Sequence, residues 1–164
     1  MNVVILTGEI RSGKTTRLLQ FVSGKNSIGG ILTPDRDQKR KLYDIEKKEW
    51  SEFETELSQN ELVCIGKFTF LKDAFKKGNT IILQSLIKNS LTVVDEFGPL
   101  EMKGEGFFEA IEQPLLHLNQ DSNKTLLLVV RPSILNDFKL KYPNINKIIH
   151  FNDPEKLGSF LNQF

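Results

Sequence analysis

The strongest constraint on this chain lies near its start. Gly8-Glu9-Ile10-Arg11-Ser12-Gly13-Lys14-Thr15 spells G-x-x-x-x-G-K-[ST], between the apolar run Val3-Val4-Ile5-Leu6 and a helical pattern through Leu18, Leu19 and Val22. Strand, glycine-bearing turn and helix in that order form a phosphate-binding loop and the opening of an α/β architecture. A triphosphate is gripped by backbone N–H groups, and Gly8 and Gly13 let the main chain curl closely enough to present them. The helix that starts near Lys14 aims its positive end, roughly half an elementary charge, at the same phosphates. The Lys14 ammonium is expected at the β- and γ-phosphates, the Thr15 hydroxyl on a bridging Mg²⁺, and the Thr16 hydroxyl on the α-phosphate. Average residue frequencies give such a pattern by chance in roughly one chain in a hundred of this length, and the flanking strand and helix lower that further.

Five apolar runs read as strands: Val3–Thr7, Ile28–Thr33, Leu62–Phe68, Leu91–Asp95 and Leu126–Val130. Most are too continuously apolar for a sheet with one wet face, so helices are expected on both faces. Helical patterns lie at Thr15–Val22, at Leu71–Lys88 with an interruption at Lys77-Gly78-Asn79, and at Phe107–Leu118 with Pro114 kinking or restarting it. The alternation implies a parallel sheet, with a sixth strand in Ile145–His150 and a closing helix over Pro154–Phe164. Lys41–Phe53 departs from the pattern: Leu42-Tyr43-Asp44-Ile45 and Trp50-Ser51-Glu52-Phe53 flank a polar turn and predict a β-hairpin. It would extend the sheet's edge or fold over the nucleotide.

Leu91-Thr92-Val93-Val94 runs into Asp95-Glu96, the form of a Walker B strand, and strand carboxyl ends line the ligand crevice of open α/β sheets. Asp95 is expected in the Mg²⁺ sphere, through a water, and Glu96 on the attacking water. Acidic residues also end strands merely to cap a turn or the next helix; Gly98-Pro99 and the distance from the phosphate loop favour the metal reading.

Thr7 through Thr16, Gly29-Gly30-Ile31-Leu32-Thr33-Pro34 and Val94-Asp95-Glu96-Phe97-Gly98-Pro99-Leu100-Glu101 together resemble the small P-loop nucleoside-triphosphatase family that includes thermophile enzymes and a human cancer-related nucleoside-triphosphatase. Length, strand–helix alternation and the hairpin pattern together predict one P-loop NTPase domain over 1–164, a three-layer α/β fold with a mostly parallel central sheet and the inserted hairpin. The resemblance implies slow Mg²⁺-dependent hydrolysis of several nucleoside triphosphates, ATP and GTP among them, with limited base discrimination, and functional Asp95 and Glu96.

A cation near the γ-phosphate would stabilise developing charge, and the chain has only five arginines. Arg11 and Arg17 belong to the loop and its helix, while Arg36, Arg40 and Arg131 follow strand ends. A solvated basic side chain is the competing reading at each, as at Lys67. It weighs least on Arg131, which enters the nucleotide-binding set. The twelve phenylalanines read as core filling, and Cys64, between Val63 and Ile65, as a buried packing thiol. His117 and His150 lack ligand-spaced partners for zinc. Lys103-Gly104-Glu105-Gly106 reads equally as a mobile active-site loop or a plain connection.

Lys plus Arg number 22 against 21 Asp plus Glu in 164 residues, so a net charge of +1 gives no reason to expect nucleic acid or an anionic membrane as partner. No stretch approaches the ~20 apolar residues of a membrane span, and a cytoplasmic location is the default expectation. A guanine-specific switch is disfavoured because neither Asn123-Lys124-Thr125-Leu126 nor Asn146-Lys147-Ile148-Ile149 completes Asn-Lys-x-Asp. A kinase would clamp its acceptor with several arginines. A slow-hydrolysing module that reports to an unknown protein partner is the remaining alternative.

Overall fold

The computed structural model describes residues 1–56, 61–118 and 123–164. The central sheet contains β1 (Asn2–Thr7), β2 (Ile28–Leu32), β3 (Asp35–Arg36), β4 (Lys39–Asp44), β5 (Glu49–Glu52), β8 (Leu91–Phe97), β9 (Thr125–Val130) and β10 (Ile148–His150). A separate ribbon pairs β6 (Leu62–Ile65) with β7 (Phe68–Leu71). The helices are α1 (Lys14–Val22), α2 (Lys72–Lys88), α3 (Pro99–Met102), α4 (Phe108–Leu116), α5 (Leu135–Lys141), preceded by a 3-10 turn at Pro132–Ile134, and α6 (Pro154–Leu161).

The spatial order is β10-β1-β9-β8-β2-β4-β3, parallel from β10 through β2 and antiparallel from there outward. Alternation along the strands sends side chains into two cores. Val3, Ile5, Leu126, Leu128 and Val130 face Ile82 of α2, Ile111 of α4 and Phe138 of α5. Val4, Leu6, Leu127 and Val129 face Leu18 of α1 and Leu157 and Phe160 of α6. Every residue of β9 is buried, as a strand covered on both faces requires. Helices thus flank a mostly parallel sheet, as expected.

The hairpin of β4 and β5 extends the sheet beyond β2, which decides between the two placements considered for Lys41–Phe53. Gly30 makes the join: its φ of +101° turns its carbonyl to accept from Ile45 N, and a side chain there would run into the Val93 carbonyl. Asp37 and Gln38, at φ 54° and 66°, form the two-residue turn that reverses β3 into β4.

Three sequence expectations require correction. Leu62–Phe68 is not a strand of the parallel sheet: the chain reverses at Gly66-Lys67, with Gly66 at φ 60°, and Phe68–Leu71 pairs back on Leu62–Ile65. On this ribbon Cys64 is exposed rather than buried. α2 also runs without interruption through Gly78-Asn79. Gly78 is small because the Phe107 ring lies against it, and buried Asn79 ties α2 to α4 by donating to Gly106 O at 2.9 Å and accepting from Ala110 N at 3.1 Å. Of the two readings at Pro114, the helix does not restart there: it runs from Phe108 past Pro114 to Leu116. Among the described residues no helix is long and apolar enough to cross a membrane.

Candidate active site

The carboxyl ends of β1, β8 and β9 lie side by side, and each delivers part of the site. β1 ends at Thr7, whose hydroxyl donates to Val130 O at 2.9 Å and pins the loop's start to β9. Gly8 is required by closeness, since a Cβ there would lie 2.7 Å from Phe151 Cβ. The left-handed turns belong instead to Arg11 and Gly13, at φ 62° and 93°, so conformational freedom is used at Gly13 and not at Gly8. Lys14 curls back over the loop, donating to the carbonyls of Gly8 at 2.7 Å and Glu9 at 2.5 Å and to Ser12 Oγ at 3.2 Å. Partial burial lowers the Lys14 pKa, while the charges of Asp95 and Glu9 act to raise it.

Asp95, only 6% exposed, accepts from the Thr15 hydroxyl at 3.1 Å and from Thr33 N at 3.2 Å. Burial raises its pKa to about 6, although those two hydrogen bonds and the charges of Arg40 and Lys14 all act to lower it. A buried carboxylate beside a hydroxyl is a hard-oxygen pair short of positive charge, and Mg²⁺ is suited to it. Among the described residues no three His, Cys, Asp or Glu side chains converge as a cation cage. Such an ion would therefore draw its other ligands from phosphates and water, as Mg²⁺ prefers.

Glu96 sits between two guanidinium groups. Arg40 Nη1 donates to its Oε2 at 2.6 Å, and Arg131 Nη2 donates to its Oε1. The sheet order accounts for this: β9 lies between β1 and β8, so Arg131, next after β9, emerges beside both, while the β3–β4 turn brings Arg40 from the other side. Burial, then the like charge of Arg40, lowers the Arg131 pKa.

Glu101 closes the segment after β8. Its buried carboxylate accepts from Gly98 N at 2.8 Å and Phe107 N at 3.2 Å, and burial raises its pKa against these bonds. Lys103–Gly106 is thereby bracketed by a buried carboxylate and by the Asn79 bond to Gly106.

These groups line one cleft of about 1130 Å³. It brings together Gly8, Ile10, Arg11, Ser12, Gly13, Lys14, Thr15, Thr16, Asp95, Glu96 and Arg131, with Glu9 contributing its carbonyl to Lys14. Lys67 reaches the rim, and Phe53, Phe70, Phe75 and Phe107, packed ring against ring, form an apolar wall. Arg36 lies apart, its guanidinium 4.7 Å over the Trp50 ring. Sequence reasoning missed the Thr33 N–H, which any residue could supply, and the bracing by Glu101, whose place in Gly-x-x-Glu was the available signal. Arg40, weighed there as a solvated side chain, is instead paired with Glu96.

A family model described as NTPase matches residues 3–152. Over 164 aligned residues the chain is 29% identical to the nucleoside-triphosphatase THEP1 of Saccharolobus solfataricus, covering 89% of this chain and 92% of that protein. The nucleoside-triphosphatase THEP1 of Methanopyrus kandleri is 25% identical over 117 residues, 67% of this chain and 65% of that protein. The crystal structure of THEP1 from the hyperthermophile Aquifex aeolicus superposes with a TM-score of 0.69 at 15% identity, covering 90% of this chain and 87% of that one, and so shares the fold. With a phosphate-loop strand and helix, an acidic pair at the end of β8, and the family match running through both, this chain belongs to the NTPase family and is a nucleoside-triphosphatase.

Proposed function

We propose that the protein is a Mg²⁺-dependent hydrolase that converts nucleoside triphosphates to diphosphate and phosphate with limited base specificity, as one P-loop domain over 1–164. The observation that carries this reading is the adjacency of Asp95 and Glu96 in two unlike environments. Asp95 is buried against Thr15 and Thr33, and Glu96 is half-buried between two arginines. Thr15 and Asp95 would hold Mg²⁺, which would supply positive charge against the phosphate tail. The loop backbone and Lys14 hold the triphosphate in place, Lys14 exchanging its carbonyl partners for phosphate oxygens. Glu96 orients a water whose oxygen bonds to the γ-phosphorus as the bond to the β,γ-bridging oxygen breaks. The bridging electron pair leaves with the diphosphate, and the water's proton passes to Glu96 or to the released phosphate. Arg131 holds Glu96 through one nitrogen and retains donors for a phosphate oxygen.

Limited base specificity is supported by the sequence, which lacks Asn-Lys-x-Asp. The test is phosphate release from each of the four triphosphates with Mg²⁺ and with EDTA. Turnover of several bases within about tenfold, abolished by the chelator, is expected; turnover that persists in EDTA refutes the metal dependence. Release that requires an added acceptor would favour a kinase.

A further inference from the structure

We propose that Arg40, delivered in cis by the inserted hairpin, is the catalytic residue that neutralises charge on the transferring γ-phosphoryl group. This rests on the hydrolase reading above and extends it to a residue outside the loop and the acidic strand.

Arg40 and Arg131 take one oxygen each of a single carboxylate; of the other carboxylates near them, Asp35 is 79% exposed and 3.9 Å from Arg40 Nε, and Asp95 is the one the metal would take. Two guanidinium groups held this close repel each other, and a partly exposed ion pair is worth only about 0–1 kcal/mol, too little for stability alone to require the second one. A second anion at the same place balances the cluster. The γ-phosphate is that anion when the triphosphate lies along the loop and Glu96 faces its water.

Arg40 spends Nη1 on Glu96, and Asp35 lies 3.9 Å from its Nε, too far for a hydrogen bond. A guanidinium carries five N–H donors in a rigid fork, so Arg40 can keep Glu96 and still engage a phosphate oxygen. Its ring contact, the guanidinium carbon 5.5 Å over Phe68, holds the plane at the cleft rim.

Of the other cleft cations, Lys14 and Arg11 belong to the loop, and Lys67 lies over Phe68 at the rim. Arg131 issues from the middle of the sheet, its backbone N bonded to Phe97 O at 3.3 Å, and reaches a phosphate oxygen from the β9 side, opposite Arg40. Arg40 comes from the sheet's edge, where the Glu54 carboxylate accepts from Arg40 N at 3.2 Å and Glu54 N returns to Arg40 O at 3.1 Å. This local brace holds the hairpin's Arg40 over the acidic pair.

The test compares the unmodified chain with Arg40→Ala and Arg40→Lys, with Arg36→Ala as control. Two quantities are read: steady-state hydrolysis with Mg²⁺, and calorimetric binding of Mg²⁺-diphosphate with aluminium fluoride beside a non-hydrolysable triphosphate. For Arg40→Ala we expect kcat to fall at least ~10³-fold, the lower end of the range for arginine fingers, with KM changed less than about threefold. The aluminium fluoride complex should be lost while triphosphate analogue binding persists. Arg40→Lys should recover only part of the rate, since it keeps the charge and loses the fork. Arg36→Ala should leave both readouts unchanged. If Arg40→Ala loses its melting transition, Arg40→Lys carries the same two readouts. A kcat for Arg40→Ala or Arg40→Lys within threefold of an active unmodified chain, with the fluoride complex retained, overturns the assignment and leaves the hydrolase reading standing. Absence of phosphate release by the unmodified chain overturns both.

Discussion

Replacing Asp95 by asparagine should make the folded protein more stable while ending hydrolysis. Burial raises the Asp95 carboxyl to about 6 from an ordinary 3.8. A gap of about two units, at 1.36 kcal/mol per unit, amounts to roughly 3 kcal/mol of penalty for holding this carboxylate ionised in the fold. The sign follows from proton counting. Below pH 3.8 both folded and unfolded chains hold the proton and the site is neutral in effect. Between about pH 4 and 6 the unfolded chain releases it first, so stability falls as pH rises. Above about 6 the whole penalty is present. An amide carries no charge, but its NH₂ needs an acceptor among partners that now donate, from Thr15 and Thr33, so we expect a net gain of about 1–2 kcal/mol at pH 8. At roughly 2–4 °C per kcal/mol for a chain of this size, the melting temperature should rise by about 2–8 °C. The assay is thermal unfolding of both proteins from pH 4 to 8, without nucleotide and in EDTA, beside phosphate release at pH 8. The difference in melting temperature should open between pH 4 and 6 and then level off. An Asp95→Asn protein less stable than the parent at pH 8, or a difference flat across that range, would refute the reasoning.

Glu96→Gln should retain triphosphate affinity and lose at least tenfold in kcat, measured by single-turnover phosphate release; an unchanged rate removes Glu96 from the chemistry. Lys14→Ala should lose nucleotide binding by calorimetry, with a melting temperature within a few degrees of the parent. Gly30→Ala forces φ +101° on a residue with a Cβ and drives that Cβ into the Val93 carbonyl, so a loss of about 3 kcal/mol or more in denaturant unfolding is expected. Gly78→Ala pushes on the Phe107 ring and should cost about 1–3 kcal/mol in the same assay, while an Ala that costs nothing would show that α2 and α4 separate freely.

The phosphate loop and the acidic strand end were readable because each is written in contiguous residues, and continuous apolar runs announced a sheet covered on both faces. What failed was whatever depends on pairing between distant segments. Arg40 and Glu96 are 56 positions apart and meet only because β4 joins β2 in one register, which leaves no local mark. Glycine misled twice in opposite directions. Gly66, inside an apolar run, is a hairpin turn, whereas Gly78, which looked like a break, is a close contact between helices. Cys64 followed its neighbours in sequence into a buried assignment, although the ribbon it lies on leaves its thiol exposed. α5 and α3 went unread because each is under eight residues, too short for apolar periodicity to register.

The central claim, that a triphosphate lies along Gly8–Thr15 with its terminal phosphate between the metal carboxylate and the water carboxylate, is tested most directly by a crystal structure with a non-hydrolysable triphosphate and Mn²⁺ located by anomalous scattering. The account predicts the cation on the Thr15 hydroxyl with Asp95 in its coordination sphere, and the γ-phosphate within reach of Glu96. A cation bound away from Thr15 and Asp95, or a γ-phosphate turned from Glu96, would contradict it.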